Sequence, residues 1–105
     1  MDYTQKTDKA TYLLQKFLAS DHSHDFAILP IDVFILLMIC RYLDMKGSKC
    51  FAKQKTLANE CRIKLRHFQD RCDYLQRIGL LFRYFRGRSY QYELGYVITG
   101  IEEYV

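Results

Sequence analysis

The chain has 105 residues, half of them hydrophobic and 27% charged, with a formal net charge of +4. That size bounds it to one domain, and the composition gives a soluble chain able to bury a core. Nine tyrosines and seven phenylalanines exclude a disordered chain, which would lack aromatics.

The longest apolar run, Val33 to Cys40, is eight residues. A bilayer needs roughly 20, so the run reads as a buried helix and no membrane span is expected. Asp2, Asp8 and the polar residues between them stand where a secretory signal would need basic and apolar regions. The setting implied is cytoplasmic and reducing, with Cys40, Cys50, Cys61 and Cys72 as small buried hydrophobes. Their spacing gives no C-x-x-C pair, and His22, His24 and His67 complete no ligand pattern, so neither a metal nor another cofactor is expected. The net charge conceals a segregation. Residues 46–88 hold twelve bases against Glu60, Asp70 and Asp73, a net +9, while residues 1–45 and 89–105 are net −2 and −3. A basic segment between acidic ones is the electrostatic footprint of phosphate binding.

In chain order, residues 1–6 are expected to fray. Thr7 or Asp8 can cap a helix to about Ala19, with Ala10, Leu13, Leu14, Phe17 and Leu18 on one apolar stripe. Ser20 to Asp25 reads as a polar loop in which His22 and His24 are solvated. Phe26 to Leu29 is short and extended. It stops before Pro30, which restricts its predecessor and suits a first helical turn. Asp32 adds favourable charge near that helix N-terminus. The helix spans about 31–45 and is apolar around most of its girth (Val33, Phe34, Leu36, Leu37, Ile39, Cys40, Leu43). It is therefore expected to be central, covered by later helices on one side and by the first helix or a second subunit on the other. Lys46 and Gly47 end it, and Lys49 to Ala52 reads as a short strand.

Residues 54–78 read as two helices with a tight turn. The first runs from about Gln54 to Cys61, with Leu57, Ala58 and Cys61 on one side. Arg62 and Ile63 make the turn. The second spans about Lys64 to Ile78, and Leu65, Phe68, Cys72, Leu75 and Ile78 form one stripe. Gly79 stops it, because glycine enters the left-handed conformation of a C-terminal cap at little steric cost. Leu80 to Phe85 and Ser89 to Leu94 are β-prone runs around Arg86-Gly87-Arg88, a hairpin. The tail, 95–105, is acidic and apolar, suited to packing on the first helix or to a dimer contact.

The central helix, KCFAKQKTLANE, the long helix closing in YLQRIGLL and the basic hairpin resemble winged helix-turn-helix domains. These are the domains of plasmid and phage replication initiators and of small transcriptional regulators. The resemblance covers about Phe26 to Leu94. It implies a mainly α, α+β fold: a winged helix with an extra N-terminal helix. It departs from the pattern at two places. Arg62 stands where such turns usually carry glycine, and Lys64 stands where Ser or Thr usually caps the second helix. A left-handed arginine and a missing cap cost about 1 kcal/mol each, and both add positive charge where phosphates would lie.

The resemblance implies double-stranded DNA as partner. Arg66 and Gln69 are the candidate base readers, since arginine pairs with guanine and glutamine with adenine. His67 and Asp70 share their face, and Asp70 would repel phosphate unless it accepts from cytosine or pairs with Arg66. Lys53, Lys55, Arg62, Lys64 and Arg71 would hold the sugar-phosphate backbone. Arg86 and Arg88 would reach the minor groove or its flanking phosphates. Tyr84, Tyr90 and Tyr92 alternate in the hairpin, for cross-strand packing or for stacking on unpaired bases. A homodimer through the first helix, the central helix or the tail would match a palindromic site. The other reading is a winged helix that binds protein and not DNA. Catalysis is not expected, and no small-molecule substrate. Cys72 and His67, five apart on one helix, are poorly aimed at each other.

Overall fold

The computed structural model describes residues 6–43 and 49–100, and the side chains of 9–43, 49–85 and 87–100. The fold is mainly helical with one two-stranded antiparallel hairpin, an α+β fold as expected. The elements are α1 (Lys6–Ala19), a 3-10 turn (Asp21–Asp25), α2 (Pro30–Arg41), α3 (Gln54–Glu60), α4 (Leu65–Arg77), β1 (Leu81–Arg86), β2 (Ser89–Leu94) and α5 (Tyr96–Thr99). The ends differ from the sequence reading by a residue or so, with four exceptions of physical interest.

The helix α1 starts at Lys6, inside the segment expected to fray, so Thr7 and Asp8 lie within the helix and not before its start. Residues 1–5 lie outside the described ones. Ala10, Leu13, Leu14 and Phe17 are buried as the stripe requires. The loop after α1 is a 3-10 turn because Ser23 folds back: its hydroxyl donates to the carbonyls of Ser20 (2.8 Å) and Leu18 (3.2 Å). His22 is exposed and pairs with Asp25 at 3.2 Å.

The helix α2 begins at Pro30, and the Asp32 carboxylate accepts from the Leu29 amide at 2.8 Å, so Asp32 caps from inside the first turn. It ends at Arg41, short of the expected Met45. Leu43 already pairs in an antiparallel bridge with Cys50, and residues 44–48, which include Lys46 and Gly47, lie outside the described ones. Ile35, Leu36, Ile39 and Cys40 are buried, and α2 packs against α1, α3, α4 and β2. Its central position is as expected, but its cover is incomplete: Phe34 is 55% exposed.

The expected strand 49–52 reduces to Cys50 alone, which exchanges two backbone hydrogen bonds with Tyr92 (2.7 and 2.9 Å) and so lies along the outer side of β2. The hairpin pairs Leu81 with Leu94 through Arg86 with Ser89. Only Gly87 and Arg88 remain in the turn. Gly87 takes φ +67 and Arg88 does not take a positive φ, the pattern of a type II′ turn, whose twist matches the strands. Leu81, Tyr92 and Leu94 turn into the core.

The tail forms α5 through Thr99, packed against α1 with Ile98 fully buried. Residues 101–105 lie outside the described ones. This packing depends on a close crossing of two glycines. A Cβ on Gly95 would fall 2.0 Å from the carbonyl oxygen of Gly79, and the Gly95 amide donates to Leu80 O at 2.9 Å.

Candidate nucleic-acid interface

The exposed basic surface is built on α3, the turn and α4. The turn is fixed by the way α3 ends. Arg62 N–H donates to Asn59 O (3.0 Å) and Ile63 N–H to Ala58 O (3.1 Å), the paired bonds of a Schellman cap. That cap needs a left-handed residue, and Arg62 provides it at φ +58. It is the one non-glycine with positive φ among the described residues. The end of α4 has the same bonds, Gly79 to Gln76 (3.2 Å) and Leu80 to Leu75 (3.0 Å), with glycine in the left-handed place at φ +86. One motif therefore occurs twice, relaxed at Gly79 and strained at Arg62.

Lys64 is the N-cap of α4, extended at φ −70 and ψ 150, and no side chain caps the helix. Lys55, Arg62 and Lys64 line one open concavity together with Ala58, Asn59, Ile63 and Leu65. Lys53 is the N-cap of α3 and also lacks a side-chain cap bond. Lys53, Lys55, Arg62, Lys64, His67 and Arg88 are all exposed. Among the described residues no carboxylate pairs with them.

The α4 face divides into outward and inward residues. Arg66 has 86% of its side chain exposed and reaches Asp70 at 3.3 Å, an i,i+4 pair on the surface. Asp70 thus takes the second of the two roles open to it in the sequence. Gln69 is half-buried, its amide donating to Gln54 Oε1 at 3.1 Å, which ties α4 to α3.

Arg71 turns away from the place expected of it. Its Nε and Nη2 bind Asp32 Oδ1 (2.8 Å) and Oδ2 (2.7 Å) in a two-pronged pair. Asp32 is fully buried, and the guanidinium lies 4.6 Å from the Tyr74 ring centroid. The hydrogen bonds to Asp32 push the Arg71 pKa up. Tyr74 in turn donates to Ala27 O at 3.0 Å. Arg83 behaves likewise: its side chain is 9% exposed, bonded to Asp73 of α4, and 4.7 Å from the Tyr90 ring centroid. Arg71 and Arg83 are therefore structural pins that hold α4 to α2 and to the hairpin. The backbone of Arg86 pairs with Ser89 at the end of β1, and its side chain lies outside the described ones.

The Asp32–Arg71 link was not readable from the sequence. Asp32 carried a local signal, an acid at the third position after a helix start. Its partner lies 39 residues on, and no local pattern marks a pair at that range. The hairpin tyrosines are committed to packing. Tyr92 is fully buried against Phe68 (6.3 Å), Tyr90 meets Phe85 and Tyr92, and Tyr84 bonds to Gln91. The phenylalanines carry the exposed surface instead: Phe82 is 48% and Phe85 60% exposed.

The four cysteines are buried and unpaired. Burial pushes Cys40 and Cys72 up to about 12 and raises Cys50 and Cys61. Thiols held so strongly protonated are poor nucleophiles and poor metal ligands. No group of three or more His, Cys, Asp or Glu is placed to hold a metal ion among the described residues. No described helix is long and apolar enough to cross a membrane.

No family model and no curated protein matches the chain. Among solved structures, the fold is similar to one described as "N-Terminal domain of DNA binding protein". The two share 16% identity at a TM-score of 0.56, and the match covers 100% of this chain and 88% of that one. At that identity the likeness speaks for the fold.

Proposed function

We propose that the protein is a winged-helix domain that binds double-stranded DNA sequence-specifically, with α4 as its recognition helix and the hairpin as its wing. The observation that carries this reading is the row of unpaired cations along α3, the turn and the start of α4: Lys53, Lys55, Arg62 and Lys64. Unpaired cations gathered on one unit are costly to a fold and useful to a polyanion. A phosphate at the turn would meet three positive charges and the uncapped first-turn amides of α4. The likeness to a DNA-binding protein's domain supports the same reading.

In this arrangement Arg66 reads base edges once its weak surface pair with Asp70 opens, and Gln69 does so by exchanging Gln54 for adenine. Arg88 reaches phosphate from the wing tip. The role is non-catalytic, as a small transcriptional regulator or a replication-initiation protein of a mobile element. A homodimer on a palindromic site fits the exposed Phe34 on α2. That same residue favours the second reading, a winged helix that docks protein through α2.

Selection from a pool of random duplexes tests the specificity. Enrichment of a common motif, lost with Arg66→Ala and kept at lower affinity with Lys55→Ala, is the expected result. A pool that binds without enrichment would contradict base reading, and no retention at low salt would turn attention to α2.

A further inference from the structure

We infer that Asp70 is a specificity-determining residue of the DNA surface. It weakens binding to DNA in general and is answered by one base, a cytosine close to the guanine that Arg66 takes. This role rests on the DNA-binding reading and deepens it.

Residues 46–88 carry twelve bases and three acids. Two of the acids are explained by the fold. Glu60 accepts from the Tyr42 hydroxyl at 2.9 Å, which ties α3 to the end of α2. Asp73 binds Arg83 and so holds the hairpin to α4. Asp70 has no such task. It stands two residues after Phe68 and two before Cys72, both fully buried. A helix turns about 100° per residue, so the Asp70 side chain leaves α4 on the side away from the core. Among the described residues its hydrogen-bond partner is Arg66, whose Nε donates to Oδ1 at 3.3 Å. The Arg66 and Asp70 side chains are 86% and 60% exposed, and a pair so open to water adds little to stability. Stability therefore does not account for an acid on the outward face of α4, within the basic segment of the chain.

Its position gives it an effect on DNA. Lys53, Lys55, Arg62 and Lys64 attract phosphate whatever the sequence. A carboxylate on the outward face of α4 opposes that attraction on every sequence. At the base edges the effect becomes selective. Guanine offers N7 and O6 to the major groove, thymine offers O4, and adenine has an N7 beside its amino group. All these acceptors repel a carboxylate, whereas cytosine offers an amino group with no acceptor on the same edge. Arg66 turns to guanine when its pair with Asp70 opens, and the freed carboxylate then needs a donor. A cytosine amino group supplies one. Any other base leaves an acceptor without a partner at the interface, a penalty of roughly tenfold in affinity. Arg66 and Asp70 are four residues apart, about 6 Å along the helix, which matches about two base-pair steps of about 3.4 Å. The cytosine is therefore expected within about two base pairs of the guanine. Opposition on every sequence, lifted at one, raises discrimination without raising affinity.

The test makes two measurements on the wild-type chain, Asp70→Ala and Asp70→Asn: selection from a pool of random duplexes, and affinity at low salt for a fixed mixed-sequence duplex. The wild type is expected to enrich a motif with cytosine within about two base pairs of guanine. Asp70→Ala is expected to keep the guanine, to lose the cytosine preference and to bind the mixed duplex at least about threefold more tightly. Asp70→Asn is expected to bind that duplex more tightly as well and to enrich adenine in place of cytosine, because an asparagine amide pairs with adenine N6 and N7. Thermal unfolding of both variants near the wild-type Tm separates binding from folding. A motif that is the same in wild type and Asp70→Ala, or a mixed-duplex affinity that does not rise, would overturn the inference and leave duplex binding standing. Failure of all three proteins to bind at low salt would overturn the DNA reading itself.

Discussion

Replacing Arg62 by glycine should make the protein more stable and a weaker DNA binder. Arg62 occupies the left-handed position of the α3 cap at φ +58. Holding a residue with a Cβ there costs about 1–2 kcal/mol. Glycine removes that cost but gives back about 0.4–1 kcal/mol through the larger freedom of the unfolded chain. The net expectation is a gain of about 0.5–1 kcal/mol, a rise in Tm of a few degrees for a chain of this size. The two cap hydrogen bonds need only the backbone, so they are kept. The same change removes one of three cations around the concavity at the start of α4. Losing one phosphate contact should flatten the slope of log K against log salt by about 0.9. Arg62→Lys separates the effects, since it keeps both the charge and the strain: stability should stay near wild type, and so should the slope. Thermal unfolding and salt-dependent binding on the same three proteins measure both quantities. A glycine variant less stable than wild type would refute the left-handed turn. One that is stabilised and binds with an unchanged slope would refute phosphate contact at Arg62.

Four other outcomes follow from the packing. Arg71→Ala leaves the fully buried Asp32 carboxylate with only the Leu29 amide and should cost about 3 kcal/mol or more in urea unfolding. Asp70→Asn, which breaks an exposed pair with Arg66, should change stability by under about 1 kcal/mol; equal effects would mean the two pairs are not in such different surroundings. Gly95→Ala forces a Cβ against the Gly79 carbonyl and should destabilise the fold by about 1–3 kcal/mol through loss of the α5 packing, with an unchanged Tm refuting the close crossing. Burial holds Cys40 and Cys72 near 12, above the ordinary value of 9.0, so the folded state keeps protons that the unfolded chain releases. The stabilisation from these thiols is complete below about pH 9 and is lost as pH rises toward about 12. The urea midpoint should therefore fall between about pH 8 and about pH 10.5, and a level midpoint would contradict their burial.

Much of the fold was written in local pattern. The steps of three and four in α1 and α4, Pro30 with Asp32, Gly79, and the Gly87 turn each fix an element by chemistry that acts within a few residues. Arg62 was legible in the same way: its place in the turn follows from the helix ends, and the strain from the missing glycine. Long-range pairing was not legible. Arg71 and Lys64 look alike in sequence, both basic and on or beside α4, yet one is bound to Asp32 and the other faces solvent. What separates them is that Asp32 is carried to α4 by the packing of α2, which no local pattern encodes. The hairpin shows the same limit. LLFRYF is apolar at both parities, so alternation could not say which face is buried, and the alternating tyrosines of the hairpin drew attention from Phe82 and Phe85. The strand signal of residues 49–52 overstated the pairing, because the bridge to β2 is made by Cys50 alone and depends on contact with Tyr92 rather than on its neighbours.

The most direct test is equilibrium binding of the intact chain to a fluorescent duplex across a range of salt concentrations. If cations of α3, the turn and α4 meet phosphates, log K should fall linearly with log salt. The slope should correspond to several contacts, about −0.9 for each. It should flatten in Lys55→Ala, Arg62→Gly and Lys64→Ala, and hold in Lys9→Ala, which is on α1. Absence of binding at low salt, or binding whose slope is indifferent to those three residues, would contradict a DNA interface on this surface.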